Sequence, residues 1–155
     1  RDALRNLFWD MFVVDALIAN NDRHNGNWGL LSNGYESRLA PVFDCGGCLF
    51  PDADENLMRA VLNDPRQRDA YVFSKPTTAI KLDGAHLSFY EFFQRVDSPH
   101  LDDALRRMVP RLDGDALRAL VDETPYIGEV EKAFYKTILL ERKRRLLDDR
   151  LAAID

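Results

Sequence analysis

The feature that most limits what this chain can become is a polar cluster, Asn21-Asp22-Arg23-His24-Asn25-Gly26-Asn27, set directly behind an apolar helix pattern. A second acid and glycine cluster, Asp44-Cys45-Gly46-Gly47, follows it. Leu4, Leu7, Phe8, Met11, Val14 and Ile18 recur at helical spacing, with Phe12 and Leu17 widening the stripe, which predicts a buried helix over 4–18. Asn20, Asn21 and Asp22 end it, because their short polar side chains compete for backbone hydrogen bonds and favour turns. Between the clusters, residues 28–31 and 38–43 read as two strands around Asn33-Gly34, a dipeptide suited to a tight hairpin turn. Such a hairpin returns the chain to its starting point and places both polar clusters at one end of the ribbon.

Beyond residue 51 the periodicity is helical, over 55–62, 88–95, 102–108, 114–121 and 128–151, with Pro65, Pro76, Pro99, Pro110 and Pro125 marking boundaries. The expectation is one mainly α domain over 1–155 with a small β hairpin (α+β), polar loops at 20–47 and a helical remainder at 53–155. Phe92, Phe93 and Met108 read as core, and Trp28 as a core residue behind the first loop. Arg23 reads as a surface arginine, with a carboxylate or phosphate partner as the alternative. Asp15 sits within the apolar helix, where it either anchors the loop through hydrogen bonds or faces solvent. The stretches Lys75-Pro76-Thr77-Thr78 and Lys81-Leu82-Asp83-Gly84 read as polar turns without an assigned role.

A net charge of −5 argues against broad electrostatic binding to nucleic acid, which needs Lys and Arg gathered on one face. The run Arg142-Lys143-Arg144-Arg145, flanked by Glu141, Asp148 and Asp149, reads as a solvated helix face. Cys45 and Cys48 are too few for a disulfide framework and suit a reducing, cytoplasmic setting; they read as small buried packing residues rather than a zinc or redox pair. No run of apolar residues has the length of a membrane span. The chain opens at Arg1, inside a helix pattern and without an initiator Met, so it is expected to be a fragment or a processed product.

Asp22, Asn27 and Asp44 together supply what phosphoryl transfer asks of a protein. That is a carboxylate to orient the attacking hydroxyl, and hard oxygen ligands suited to Mg²⁺ beside the phosphates. Asp22 and Asn27 stand five positions apart, and Asp44-Cys45-Gly46 has a D-x-G form after the ribbon. Kinases show the same spacing in an H-R-D-x-x-x-x-N loop followed by D-F-G. Plainer readings stand beside this one: Asp22 and Asn27 as a helix-end turn satisfying local N–H groups, Asp44 as a cap before Gly46-Gly47, and His24 as a structural hydrogen-bonding histidine.

The string Asn21-Asp22-Arg23-His24-x-x-Asn27-Trp28-Gly29, preceded by Asp15-Ala16-Leu17-Ile18 and followed by Leu39-Ala40-Pro41-Val42-Phe43-Asp44, resembles the C-terminal lobe of HipA-like serine/threonine kinases. It is also similar to the D-R-H-x-x-N and D-F-G loops of phosphatidylinositol kinases. The resemblance is close over residues 1–51 and general beyond. It implies a protein-kinase-like large lobe using ATP and Mg²⁺, with Asp22 as catalytic base, His24 supporting the loop or the phosphate, and Asn27 and Asp44 binding the metal and nucleotide. It further implies a protein substrate, a toxin–antitoxin setting, and a separate small-lobe or antitoxin chain as partner. Cys45 departs from the usual aromatic of the triplet. None of the five lysines, Lys75, Lys81, Lys132, Lys136 and Lys143, stands in a strand ahead of the catalytic loop, so the N-terminal lobe is expected to be absent. Other classes remain open: a lipid or small-molecule kinase on the same scaffold, and a non-catalytic binding or regulatory module.

Overall fold

The computed structural model describes residues 2–155. Helix α1 (Asp2–Leu17) is followed by the hairpin β1 (Leu30–Ser32) and β2 (Ser37–Leu39), paired antiparallel with Leu31 opposite Arg38. The strands are shorter than the sequence patterns. One further bond, Ala40 N–H to the Gly29 carbonyl at 2.8 Å, extends the ladder, and then Pro41, which has no N–H, ends it. Next come α2 (Glu55–Asn63) and α3 (Pro65–Asp69), with a π-helical turn (Ala70–Ser74) closing the latter.

A second antiparallel hairpin, β3 (Thr77–Leu82) and β4 (Ala85–Ser88), occupies the stretch read from sequence as polar turns. Its turn is Asp83-Gly84, with both residues at positive φ, the conformation a tight primed turn demands. β4 runs into α4 (Phe89–Arg95) through a capping box in which Ser88 and Glu91 satisfy each other's backbone N–H groups. α5 (Pro99–Met108), α6 (Gly114–Glu123) and α7 (Glu129–Arg142) complete the body. The long C-terminal helix predicted over 128–151 is interrupted: a π-helical segment (Lys143–Asp148) joins α7 to α8 (Asp149–Ile154). The fold is therefore mainly helical with two small hairpins. Among the described residues no helix is long and apolar enough to cross a membrane.

The main core forms where α1 lays Phe12, Val13, Ala16 and Leu17 against Leu101, Ala104 and Leu105 of α5 and against Phe92 and Phe93 of α4. The Phe12 ring lies 4.7 Å from that of Phe92 and within 6 Å of Phe89 and Phe93. Each such burial contributes about 1.5–3 kcal/mol. Met108 is half-buried at the edge of this core. A smaller cluster, Met58, Val61, Tyr71, Phe134 and Ile138, joins α2, the π turn and α7.

Arg142 corrects the reading of the basic run as a solvated face. It is fully buried, and it donates hydrogen bonds to the carbonyls of Ala16 (2.8 Å), Tyr71 (2.8 Å), Val72 (3.2 Å) and Lys75 (2.9 Å). Burial lowers its pKa to about 9, so it stays protonated at neutral pH, with backbone dipoles in place of a carboxylate. One guanidinium thus ties α1, the π turn and the approach to β3. Lys143 and Arg145 pair with Asp148 and Asp69, and Arg144 bonds Glu141 at the surface.

Replacing Arg142 with Ala orphans these carbonyls, and each buried unsatisfied group costs about 1–3 kcal/mol. The expected loss is about 3 kcal/mol or more by urea unfolding. Arg142→Lys should recover little of it, because an ammonium lacks the planar fork that reaches separate carbonyls.

Candidate active site

Helix α1 ends by reversal of its backbone at Ala19, a non-glycine residue at φ 54°. The chain then leaves the helix axis as Asn20-Asn21-Asp22, and the Asn20 side-chain oxygen accepts from the Asp22 N–H at 3.1 Å. Asn20 also donates to Asp15 Oδ1 at 2.9 Å.

Arg23 is 4 % exposed, not the surface arginine expected. Its Nε and Nη2 hold the two oxygens of Asp15 at 2.9 and 3.1 Å. Its Nη1 donates to the carbonyls of Asn27 (2.7 Å) and Phe43 (2.6 Å), and Nη2 reaches Cys45 Sγ at 3.7 Å. The hydrogen bonds to Asp15 raise the guanidinium pKa still further, against the opposing effect of burial. Asp15 therefore does anchor the loop. Asn27 belongs to the first polar cluster and Phe43 and Cys45 to the second, so one side chain spans both.

Asn27 is buried and donates Nδ2 to the Asp22 carbonyl (2.8 Å) and to Asp22 Oδ2 (3.2 Å). Both partners are acceptors, which fixes the amide orientation and leaves Asn27 Oδ1 free to bind a cation. His24 Nδ1 accepts the Gly26 N–H at 2.9 Å, so the neutral ring carries its proton on Nε2, 3.6 Å from Asp22 Oδ1. Asp22 and His24 are about half exposed. Asp44 is exposed on a left-handed backbone at φ 52°, immediately after the carbonyl that Arg23 holds. The structure thus puts Asp22, His24 and Asn27 in one loop in mutual contact, and brings the Asp44 segment to it through Arg23. Among the described residues no three His, Cys, Asp or Glu side chains form a metal cluster. The oxygen donors on offer, an amide and a carboxylate, suit the limited protein ligation that Mg²⁺ takes beside phosphates.

Cys45 is exposed and Cys48 half-buried, which corrects their reading as buried packing residues. Burial pushes the Cys48 thiol up to about 12, so it stays protonated. Trp28 is likewise only half-buried, its ring 5.1 Å from that of Phe8.

The glycine of the second loop that abuts the first is Gly47, one residue past the D-x-G triplet. A Cβ there would stand 2.6 Å from Asn21 Oδ1 and 2.9 Å from Asp22 Cβ, whereas one on Gly46 would meet nothing closer than Asp44 Oδ1 at 3.6 Å. Gly47→Ala should displace the Asp22 turn, seen as large amide shifts over residues 20–27 by NMR, while Gly46→Ala leaves them in place. Arg23→Met strands the Asp15 charge and should cost about 3–5 kcal/mol in urea unfolding, and the Asp15→Leu/Arg23→Met pair less than the sum of the single changes.

No protein-family model matches the chain. It is 40 % identical over 148 residues to the serine/threonine-protein kinase CtkA of Helicobacter pylori (strain J99), an alignment covering 94 % of this chain and 46 % of the kinase. The crystal structure of a Helicobacter pylori proinflammatory kinase CtkA matches it with a TM-score of 0.91 at 38 % identity, over 97 % of this chain and 56 % of that one. The chain spans about half the length of these relatives. Over nearly all its residues the chain is therefore a homologue of the kinase CtkA, and its mainly helical fold is that of the matching part of that enzyme.

Proposed function

We propose that residues 1–155 form the large, C-terminal lobe of a HipA-like serine/threonine kinase that transfers the γ-phosphoryl group of ATP to a protein hydroxyl. The observation that carries this reading is the Asp22–Asn27 contact, five residues apart, with the Asp44 segment fastened to the same loop by Arg23. Likeness to CtkA, itself named a serine/threonine-protein kinase, supports it.

In this mechanism Asp22 is the acid that receives the acceptor. Asn27 engages its Oδ2, which holds the carboxylate in one orientation, and leaves Oδ1 open toward His24 and solvent. An acceptor hydroxyl that donates to Oδ1 points its proton at the carboxylate and leaves a lone pair of its own oxygen free to attack phosphorus, the positioning role of the catalytic-loop acid. His24 Nε2–H faces the same oxygen and can partner phosphate or carboxylate. Asn27 Oδ1 and the Asp44 carboxylate would hold Mg²⁺, which neutralises charge on the phosphate oxygens when bound. Arg23 and Asp15 touch no reactant; they fix where the two loops stand. The small lobe, with its share of the nucleotide site, is supplied from outside residues 1–155, and a companion or antitoxin chain is the partner to seek.

The test is phosphotransfer from labelled ATP with and without a candidate small-lobe partner. Little transfer is expected from the chain alone, and more with the partner. Asp22→Asn should lower the restored rate by about 100-fold or more. Asp44→Asn should weaken Mg²⁺-dependent nucleotide binding, read by calorimetry. Strong transfer by the chain alone sinks the two-lobe claim, and an Asp22→Asn chain that still transfers sinks the role of Asp22.

A further inference from the structure

Between the Asp22 loop and the smaller core cluster lies a pocket of about 210 Å³, bordered by Asn21, Gly47, Phe50, Ala53, Leu57 and Tyr71. Asn21 and Gly47 come from the two loops of the site, and Gly47 packs directly against Asp22, so pocket and site share a wall. Phe50, Ala53 and Leu57 make part of its wall apolar, with Asp52 and Lys75 also in the lining, and its volume falls below the roughly 300–1,000 Å³ of sites that take drug-sized ligands or cofactors. That is room on the scale of one amino-acid side chain.

Two polar groups give the pocket its chemistry. Tyr71 is only 8 % exposed and burial raises its pKa, while its hydroxyl is not among the sealed, unpartnered polar atoms: it bonds no group among the described residues and stays open to the pocket. Lys75 places its ammonium 5.1 Å from the centre of the Tyr71 ring and pairs with no carboxylate among the described residues. Both can donate, so the complement is an occupant carrying carbonyl oxygens beside an apolar group, as a polypeptide does. An acyl chain carries such oxygens only at its end, whereas a polypeptide presents one at every residue beside its side chains. The acid Asp52, also in the lining, disfavours a phosphate.

We propose that this pocket seats one large apolar side chain of the acceptor polypeptide, close in sequence to the hydroxyl that is phosphorylated, and so selects among acceptor sites. The proposal rests on the kinase reading above and names the substrate feature that reading lacks.

The experiment uses peptides with one central serine, identical except for a leucine or an alanine walked through the flanking positions. Binding is read by fluorescence anisotropy without nucleotide, and transfer as kcat/KM in the active form. Leucine at one flanking position should improve both by on the order of 10-fold over alanine there. Ala53→Leu, which fills the pocket, should erase that ratio. Tyr71→Phe should reduce it severalfold without moving the unfolding midpoint, because the hydroxyl bonds nothing in the chain. A peptide set with no leucine preference, or a preference that survives Ala53→Leu in folded protein, overturns the subsite; a full ratio in Tyr71→Phe overturns the part given to the hydroxyl. The two readings separate cleanly. Leucine-dependent binding with no phosphotransfer even when the small-lobe partner is present removes the kinase and leaves a peptide pocket, whereas Asp22-dependent transfer without leucine preference removes the pocket alone.

Discussion

The site depends on one buried ion pair, Asp15 with Arg23. An acid on the buried face of α1, beside Phe12 and Ala16, is tolerated only if its charge is met, and Arg23 meets it with a two-pronged grip from the loop that follows. The same guanidinium then has N–H groups left over, and these go to carbonyls on both sides of the first hairpin. Core packing sets the position of α1 through the Phe12 cluster, α1 sets Asp15, and Asp15 sets Arg23. The loops carrying Asp22, Asn27 and Asp44 are thereby indexed to the hydrophobic core rather than left to their own turn preferences. The second hairpin closes this arrangement, since Thr78, Ala79 and Ile80 of β3 border the same small void as Asp15, Asn20 and Arg23.

What was legible in the sequence was local. The helical period of α1, the bend at Asn33-Gly34 and the five-residue step from Asp22 to Asn27 are each short-range signals that stand in the structure, with two shifts: Leu7 of the expected stripe is exposed while Val13 and Ala16 are buried, and the hairpin loop runs over 33–36, between the paired Ser32 and Ser37, instead of turning on Asn33-Gly34 alone. What was not legible depended on partners distant in sequence. Arg23 looks like any loop arginine until Asp15 and Phe43 are placed around it, and Arg142 sits in a charged run that gives no sign of the carbonyls of Ala16 and Tyr71 converging on it. The second hairpin did leave a signal, the alternation of Thr78, Ile80 and Leu82 before Asp83-Gly84. Pro76 and the surrounding threonines and lysines masked it, and β4 is only four residues long before it caps α4.

Backbone strain follows the same map. Among the described residues six non-glycines take positive φ, and four of them, Ala19, Asp44, Leu49 and Phe50, lie in or beside the two site loops. Such conformations are held only where surrounding contacts over-determine them. Here the contacts are visible: Leu49 donates its N–H to the Ile18 carbonyl at 2.8 Å, which returns the second loop to the end of α1, and Arg23 fastens the residue just before Asp44. Gly47 fits between them because a side chain there has no room.

The division of labour among the acids follows from how many of their oxygens are already engaged. Asp15 has both occupied, Oδ1 by Asn20 and Arg23 and Oδ2 by Arg23, and it is shut away from solvent. A carboxylate with both oxygens engaged and no access to solvent can orient its neighbours but cannot meet a substrate. Asp22 has one oxygen steadied by Asn27 and the other turned toward solvent, and Asp44 stands exposed on the opposite loop. The residues available for chemistry are those the fold holds by one side only, and they can be held so lightly because Asp15 and Arg23 are held completely.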